Sequence, residues 1–210
     1  MLLPYLCICS IKKTVTTQSA FLLLMYDDEI LKPSNTGRLI ADLIPDTYAY
    51  IWSRTAPIKD MLELIADPKW QPIVVFPAEY THVERVLSQE QVLNKNQNCN
   101  KRPLFILLDG TWAQAKKMFR KSPYLDNFPV LSFSPEKLSQ YLVRKATKDN
   151  QLATAEVASL VLESIGEQEN ADLLGLFFST FKENYLLGKS RQPLTAQSSQ
   201  HHLVRALAHL

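Results

Sequence analysis

Apolar positions along the chain fall into two kinds of run. Short stretches rich in aliphatic and aromatic residues, at 20–25, 47–52, 72–76, 104–108 and 129–133, predict β-strands. Between them, apolar residues at helical spacing predict helices over 37–43, 57–65, 81–88 and 112–121. This alternation predicts an α/β domain whose mainly parallel sheet carries helices on both faces. After Tyr141 the strand pattern stops. Two longer amphipathic stretches, 155–165 and 170–187, predict helices packed on the sheet, with Gly166 and Gly188 placed as their C-terminal caps. The polar, Asn-rich segment 89–102 reads as a loop, and residues 189–210 as a polar tail that adds little to the core.

Composition narrows the function classes. A chain of 210 residues, 46% apolar, supports one sizeable core and hence one domain. Its net charge of +2 is too small to identify a polyanionic partner, so clusters of Lys and Arg have to carry that argument. The longest apolar run, 20–25, is far short of the roughly 20 residues that span a bilayer, which predicts a cytoplasmic protein with no membrane partner. Cys7, Cys9 and Cys99 read as reduced thiols. Five glycines, none in a Gly-rich turn, exclude a Rossmann fingerprint and a P-loop. There is no nucleophile elbow and no compact His-rich metal cluster, and His201 and His202 read as solvated tail residues.

The candidate chemistry sits after the run 104–108. Asp109-Gly110-Thr111-Trp112 follows at its carboxyl end, the edge of an open α/β sheet where ligands bind. Thr111 and Gln114 have the spacing of a capping box opening the next helix. Asp109 is either a turn-forming residue or a carboxylate placed to hold a polar substrate. Trp112 is either a core residue or a stacking surface for a base. On that helix Trp112, Ala115, Met118 and Phe119 share one face, while Lys116, Lys117, Arg120 and Lys121 span roughly 140° of arc on the other. The basic stripe suits either the helix dipole or nucleic-acid phosphates.

Five ordered segments resemble the DTW-domain family: Lys32-Pro33-Ser34-Asn35-Thr36-Gly37-Arg38-Leu39-Ile40-Ala41-Asp42, Val75-Phe76-Pro77-Ala78, Leu108-Asp109-Gly110-Thr111-Trp112, Met118-Phe119-Arg120-Lys121-Ser122-Pro123-Tyr124-Leu125-Asp126-Asn127, and Thr154-Ala155-Glu156-Val157-Ala158. The resemblance implies a SPOUT-like α/β fold, whose sheet is often knotted in its C-terminal half. It also implies transfer of the 3-amino-3-carboxypropyl group of S-adenosylmethionine to a uridine in the variable loop of tRNA, with methylthioadenosine released. The rival readings are a SPOUT-like RNA methyltransferase and a non-catalytic RNA-binding module. Members of the family usually carry a Cys-x-x-Cys pair before a Cys-x-Cys. Here Cys7 and Cys9 match only the second half, so zinc is doubtful in this chain and a start later than the family's is the favoured explanation. The organisation that follows is a remnant of the Cys-rich segment over 1–18, a catalytic domain over 19–188 and a tail over 189–210.

Within that resemblance, Asp109 is the expected general base, or the acceptor orienting uridine N3–H, with Thr111 shaping the turn and Trp112 walling the pocket. Phe76, Pro77, Ala78 and Leu108, together with Thr154 and Glu156 at a helix start, are expected to hold S-adenosylmethionine, although Thr154 also reads as an ordinary N-cap. Lys32, Asn35 and Arg38 are expected to bind substrate, either tRNA phosphate or the methionine carboxylate. Lys116, Lys117, Arg120 and Arg144, the last beside Lys145, complete the expected tRNA contacts.

Overall fold

The computed structural model describes residues 2–88, 90–92, 101–133, 152–195 and 198–208. Cys99, Tyr141, Arg144 and Lys145 lie outside the described residues. Six strands, β1 (Ala20–Met25), β2 (Thr47–Ile51), β3 (Trp70–Val75), β4 (Val86–Leu87), β5 (Arg102–Asp109) and β6 (Val130–Leu131), form one sheet in the order β2-β1-β5-β3-β6-β4. All five pairings are parallel, as the alternation of elements predicts.

The central strands are apolar throughout because both faces are covered. Phe21, Leu23, Phe105 and Leu107 point to one core, and Leu22, Leu24, Leu104 and Ile106 to the other. The first core is closed by α1 (Gly37–Leu43), α4 (Thr154–Ser164) and α5 (Gln168–Ser190), and the second by α2 (Lys59–Ala66) and α3 (Trp112–Arg120). Met118 on α3 is fully buried, a contribution of about 1.5–3 kcal/mol for a side chain of this kind. Among the described residues no helix is long and apolar enough to cross a membrane.

Three expectations are corrected. Residues 81–88 carry apolar positions at helical spacing but form a 3₁₀ turn (Val83–Arg85) followed by β4. Tertiary partners decide this segment: the Arg85 guanidinium is held by the carbonyls of Leu125 and Phe128, and Val86 and Leu87 pair with Val130 and Leu131. Gly166, at φ 86°, does follow the end of α4, but Gly188 caps nothing, since α5 continues to Ser190 and Arg191 takes the left-handed conformation at φ 54°. Instead Leu3 and Leu6 pack beside Gly188. The tail also contributes to the core. Its helix α6 (Ser199–Leu207) packs on α5, buries Leu203 completely, and is tied by Ser199 N–H to Glu183 and by Asn184 Nδ2 to Gln200 Oε1.

Candidate active site

Strands β1 and β5 are neighbours whose onward connections diverge. After β1 the chain returns through α1 on one face of the sheet to β2, and after β5 it runs through α3 on the opposite face to β6. Connections leaving on opposite faces open a crevice at the carboxyl edge, where α/β sheets bind ligands. Met25 and Asp109 end the two strands side by side, and Tyr26 N–H donates to the Asp109 carbonyl at 2.9 Å.

Asp109 is only 3% exposed, and both of its carboxylate oxygens are engaged. Asn35 Nδ2 donates to Oδ2 at 2.7 Å, and the Thr154 hydroxyl donates to Oδ1 at 2.5 Å. Burial dominates and pushes the carboxyl pKa above its ordinary value. The hydrogen bonds from Thr154 and Asn35 pull it down, Glu29 adds to the rise and Lys32 opposes it. Gly37 makes this packing possible, since a Cβ there would stand 2.9 Å from Asp109 Oδ2.

A cavity of about 520 Å³ opens beside this carboxylate. Six of the residues expected at the site line it: Phe76, Pro77, Leu108, Thr111, Trp112 and Thr154. Three others support the wall from behind. Ala78 N–H donates to Ser132 Oγ at 2.9 Å, Asp109 accepts from Thr154, and Glu156 accepts from Ala153 N–H at 2.9 Å. Ser132 and Val157, which sequence reasoning missed, also line the cavity. The walls are largely aliphatic and aromatic, with Thr111, Ser132 and Thr154 among the described lining residues and no charged side chain among them. A space of this size and character fits a small, largely apolar ligand with a few polar groups.

The two threonines separate by role. Thr111 is the N-cap of α3 in a full capping box, accepting from Gln114 N–H while its own N–H donates to Gln114 Oε1 at 2.7 Å. Thr154 does not cap, because the N-cap of α4 is Ala153. Thr154 is instead the first helical residue, with its hydroxyl turned to Asp109. The first turn of α4 is already occupied in part, since Ala153 N–H meets Glu156 and Ala155 N–H meets the Thr36 hydroxyl at 3.3 Å.

Trp112 is 39% exposed at the rim. Its ring stacks on Phe76 at 5.5 Å and meets the edge of Tyr80, and the Lys116 ammonium lies 5.6 Å from its centroid. Lys117 donates to the Tyr26 hydroxyl at 2.8 Å and lies over the stacked rings of Tyr26 and Trp52. Arg120 and Lys121 are exposed. Among the described residues none of these four cations pairs with a carboxylate, so the α3 stripe keeps its positive charge.

The other expected substrate contacts turn inward. Asn35 is buried with its amide committed to Asp109, which removes it from any macromolecular surface. Arg38 donates to the Pro33 carbonyl and lies over the Phe181 ring at 5.1 Å. Lys32 is bridged to Glu29, with Asp28 at 3.6 Å. Arg144 lies outside the described residues.

Cys7 and Cys9 are exposed thiols. Among the described residues no group of three or more His, Cys, Asp and Glu side chains gathers as a metal site, and two thiolates do not fit the four-ligand requirement of structural zinc. No solved structure matches the chain. The profile described as the DTW domain matches residues 1–186. The chain therefore belongs to the DTW-domain family, which includes tRNA-uridine aminocarboxypropyltransferases and points to a role in tRNA modification.

Proposed function

We propose that this protein transfers the 3-amino-3-carboxypropyl group of S-adenosylmethionine to N3 of a tRNA uridine and releases methylthioadenosine. The observation that carries this reading is the cavity at the end of β5, with no charged side chain among its described lining residues and lined in part by Thr154, whose hydroxyl donates to the buried Asp109 carboxylate. Bound there, the co-substrate supplies carbons made electrophilic by their sulfonium. The protein's part is to decide which carbon faces the base, because orientation sets the product.

Phe76, Trp112 and Leu108 wall the adenosyl part and exclude water, and Ser132, fixed by Ala78 N–H, offers it a hydroxyl. As the bond from uridine N3 to the terminal carbon forms, the sulfur–carbon bond breaks and its electron pair stays on sulfur. The N3 proton passes to the Thr154 hydroxyl, whose own proton moves to Asp109 Oδ1. A carboxyl whose proton affinity is raised by burial suits that acceptor role. The unpaired cations of α3 beside the rim receive the tRNA backbone.

Nucleoside mass spectrometry of tRNA incubated with the protein and S-adenosylmethionine tests the reading. Aminocarboxypropyluridine with equimolar methylthioadenosine is the expected result. Methylated nucleoside with S-adenosylhomocysteine would replace it with methyl transfer, and no modified nucleoside with intact tRNA binding would leave an RNA-binding module.

A further inference from the structure

Thr111 and Thr154 both line the cavity, and the bonds they already make leave them opposite hydrogen-bonding capacity toward a ligand. A hydroxyl carries one proton and two lone pairs. The proton of Thr154 is committed to Asp109 Oδ1. The direction of that bond is set from further back. Arg38 N–H donates to Asn35 Oδ1 at 3.3 Å, which turns the Asn35 amide so that its Nδ2 donates to Asp109 Oδ2 at 2.7 Å. Asp109 therefore accepts at both oxygens, and Thr154 has only lone pairs left to offer.

Thr111 is the converse. Its oxygen accepts from Gln114 N–H in the capping box, and among the described residues its proton has no acceptor. Thr111 follows two residues after the carboxylate that Thr154 meets, so an acceptor and a donor stand on one edge of the sheet.

We propose that Thr154 and Thr111 select the base by hydrogen-bond polarity, Thr154 accepting from uracil N3–H and Thr111 donating to a carbonyl beside it. This rests on the uridine reading of the site given above and assigns the residues that enforce it. Cytosine has the same size but a bare N3 lone pair, which would face the lone pairs of Thr154 with no proton between them. A site built to pair an N–H rejects the analogue that lacks it. The filter matters because reactivity alone would favour cytosine, whose N3 attacks without first losing a proton.

Fluorescence anisotropy tests this with three tRNA transcripts that differ only at the nucleotide that mass spectrometry finds modified, which carries uracil, cytosine or no base. Each is titrated in the presence of methylthioadenosine. Wild-type protein is expected to bind the uracil transcript about tenfold or more tighter than the cytosine transcript, the loss of one hydrogen bond with its partner left unpaired. The cytosine transcript should bind no tighter than the abasic one. In Asp109→Asn, the Asn35 amide keeps an oxygen opposite it at position 109, so the introduced nitrogen faces Thr154, donates to it and turns the Thr154 proton toward the base. The preference for uracil should then fall to within about twofold or reverse. Thr111→Ser keeps cap and proton and should retain the preference, whereas Thr111→Val should narrow it. Equal wild-type affinities for uracil and cytosine, or a preference that Asp109→Asn leaves unchanged, overturn the proposal. If Asp109→Asn does not fold, equal ratios in Thr111→Ser and Thr111→Val overturn it. Aminocarboxypropyluridine formed without a preference between the transcripts overturns the filter alone. Its absence from the wild-type reaction overturns the uridine reading and the filter with it.

Discussion

The Thr154 hydroxyl donates to Asp109 Oδ1 at 2.5 Å, joining the carboxyl end of β5 to the first turn of α4 across 45 residues of sequence. Asp109 therefore reaches the cavity through another side chain, and the two residues have to be tested together.

Asp109→Asn keeps the shape of the side chain and removes its capacity to take a proton. Turnover is expected to fall by about 10²–10⁴-fold, the usual loss for a general base, with affinity for methylthioadenosine nearly unchanged. Near-normal turnover in a protein of normal thermal stability would move the proton acceptor elsewhere.

Thr154 separates relay from packing. Thr154→Ser retains the hydroxyl and should keep most activity, whereas Thr154→Val keeps the volume, removes the donor to Asp109 and should lose activity on the scale of Asp109→Asn. Equal rates for the Ser and Val variants would show that the hydroxyl carries no proton.

The raised pKa of Asp109 has a defined sign in stability. A carboxyl that holds its proton more tightly when folded contributes stability fully present below its unfolded pKa and lost as pH climbs through the folded value. Denaturant unfolding measured upward from the ordinary carboxylate pKa should show the wild type losing stability relative to Asp109→Asn. A difference independent of pH would contradict the shift. In turnover, the same shift places the acid limb of the pH profile above that of an ordinary carboxylate.

Gly37→Ala would drive a methyl to 2.9 Å from Asp109 Oδ2. The expected cost is about 1–3 kcal/mol of stability, typical of overpacking, with turnover reduced because Asp109 has to shift. Unfolding free energies within a few tenths of wild type, about the scatter of a neutral substitution, would show that the site yields easily.

Joint replacement of Lys116, Lys117 and Arg120 by Gln should weaken tRNA binding and flatten its dependence on salt. Each lost phosphate contact reduces the slope of log K against log salt by somewhat under one unit. An unchanged slope places the tRNA on another surface.

The sheet was legible because parallel strands covered on both faces are continuous apolar runs, and β1 and α1 have the bounds expected from that pattern. Thr111 and Gln114 were legible because capping is local chemistry at fixed spacing. The role of Thr154 was not, since a threonine before a helix reads as a cap until its distant partner on β5 is known. Segment 81–88 misread for the same kind of reason, because the carbonyls that hold Arg85 belong to residues about 40 positions away. The Glu29–Lys32 pair was not read from the sequence, where Lys32 stands only as an expected substrate contact. Its relation to Asp109 depends on how β1 and β5 lie side by side, which no short window of sequence contains.

The position of Trp112 gives the protein an internal optical reporter. Of its three tryptophans, Trp52 and Trp70 are buried in the core on the α2 and α3 side, and only Trp112 borders the cavity, its ring set between Phe76 and the Lys116 ammonium. Filling the cavity displaces water from one indole and leaves the other two in unchanged surroundings. Fluorescence emission should therefore report occupancy directly, and in Trp112→Phe the ligand-dependent part of the signal should vanish while the background from Trp52 and Trp70 persists.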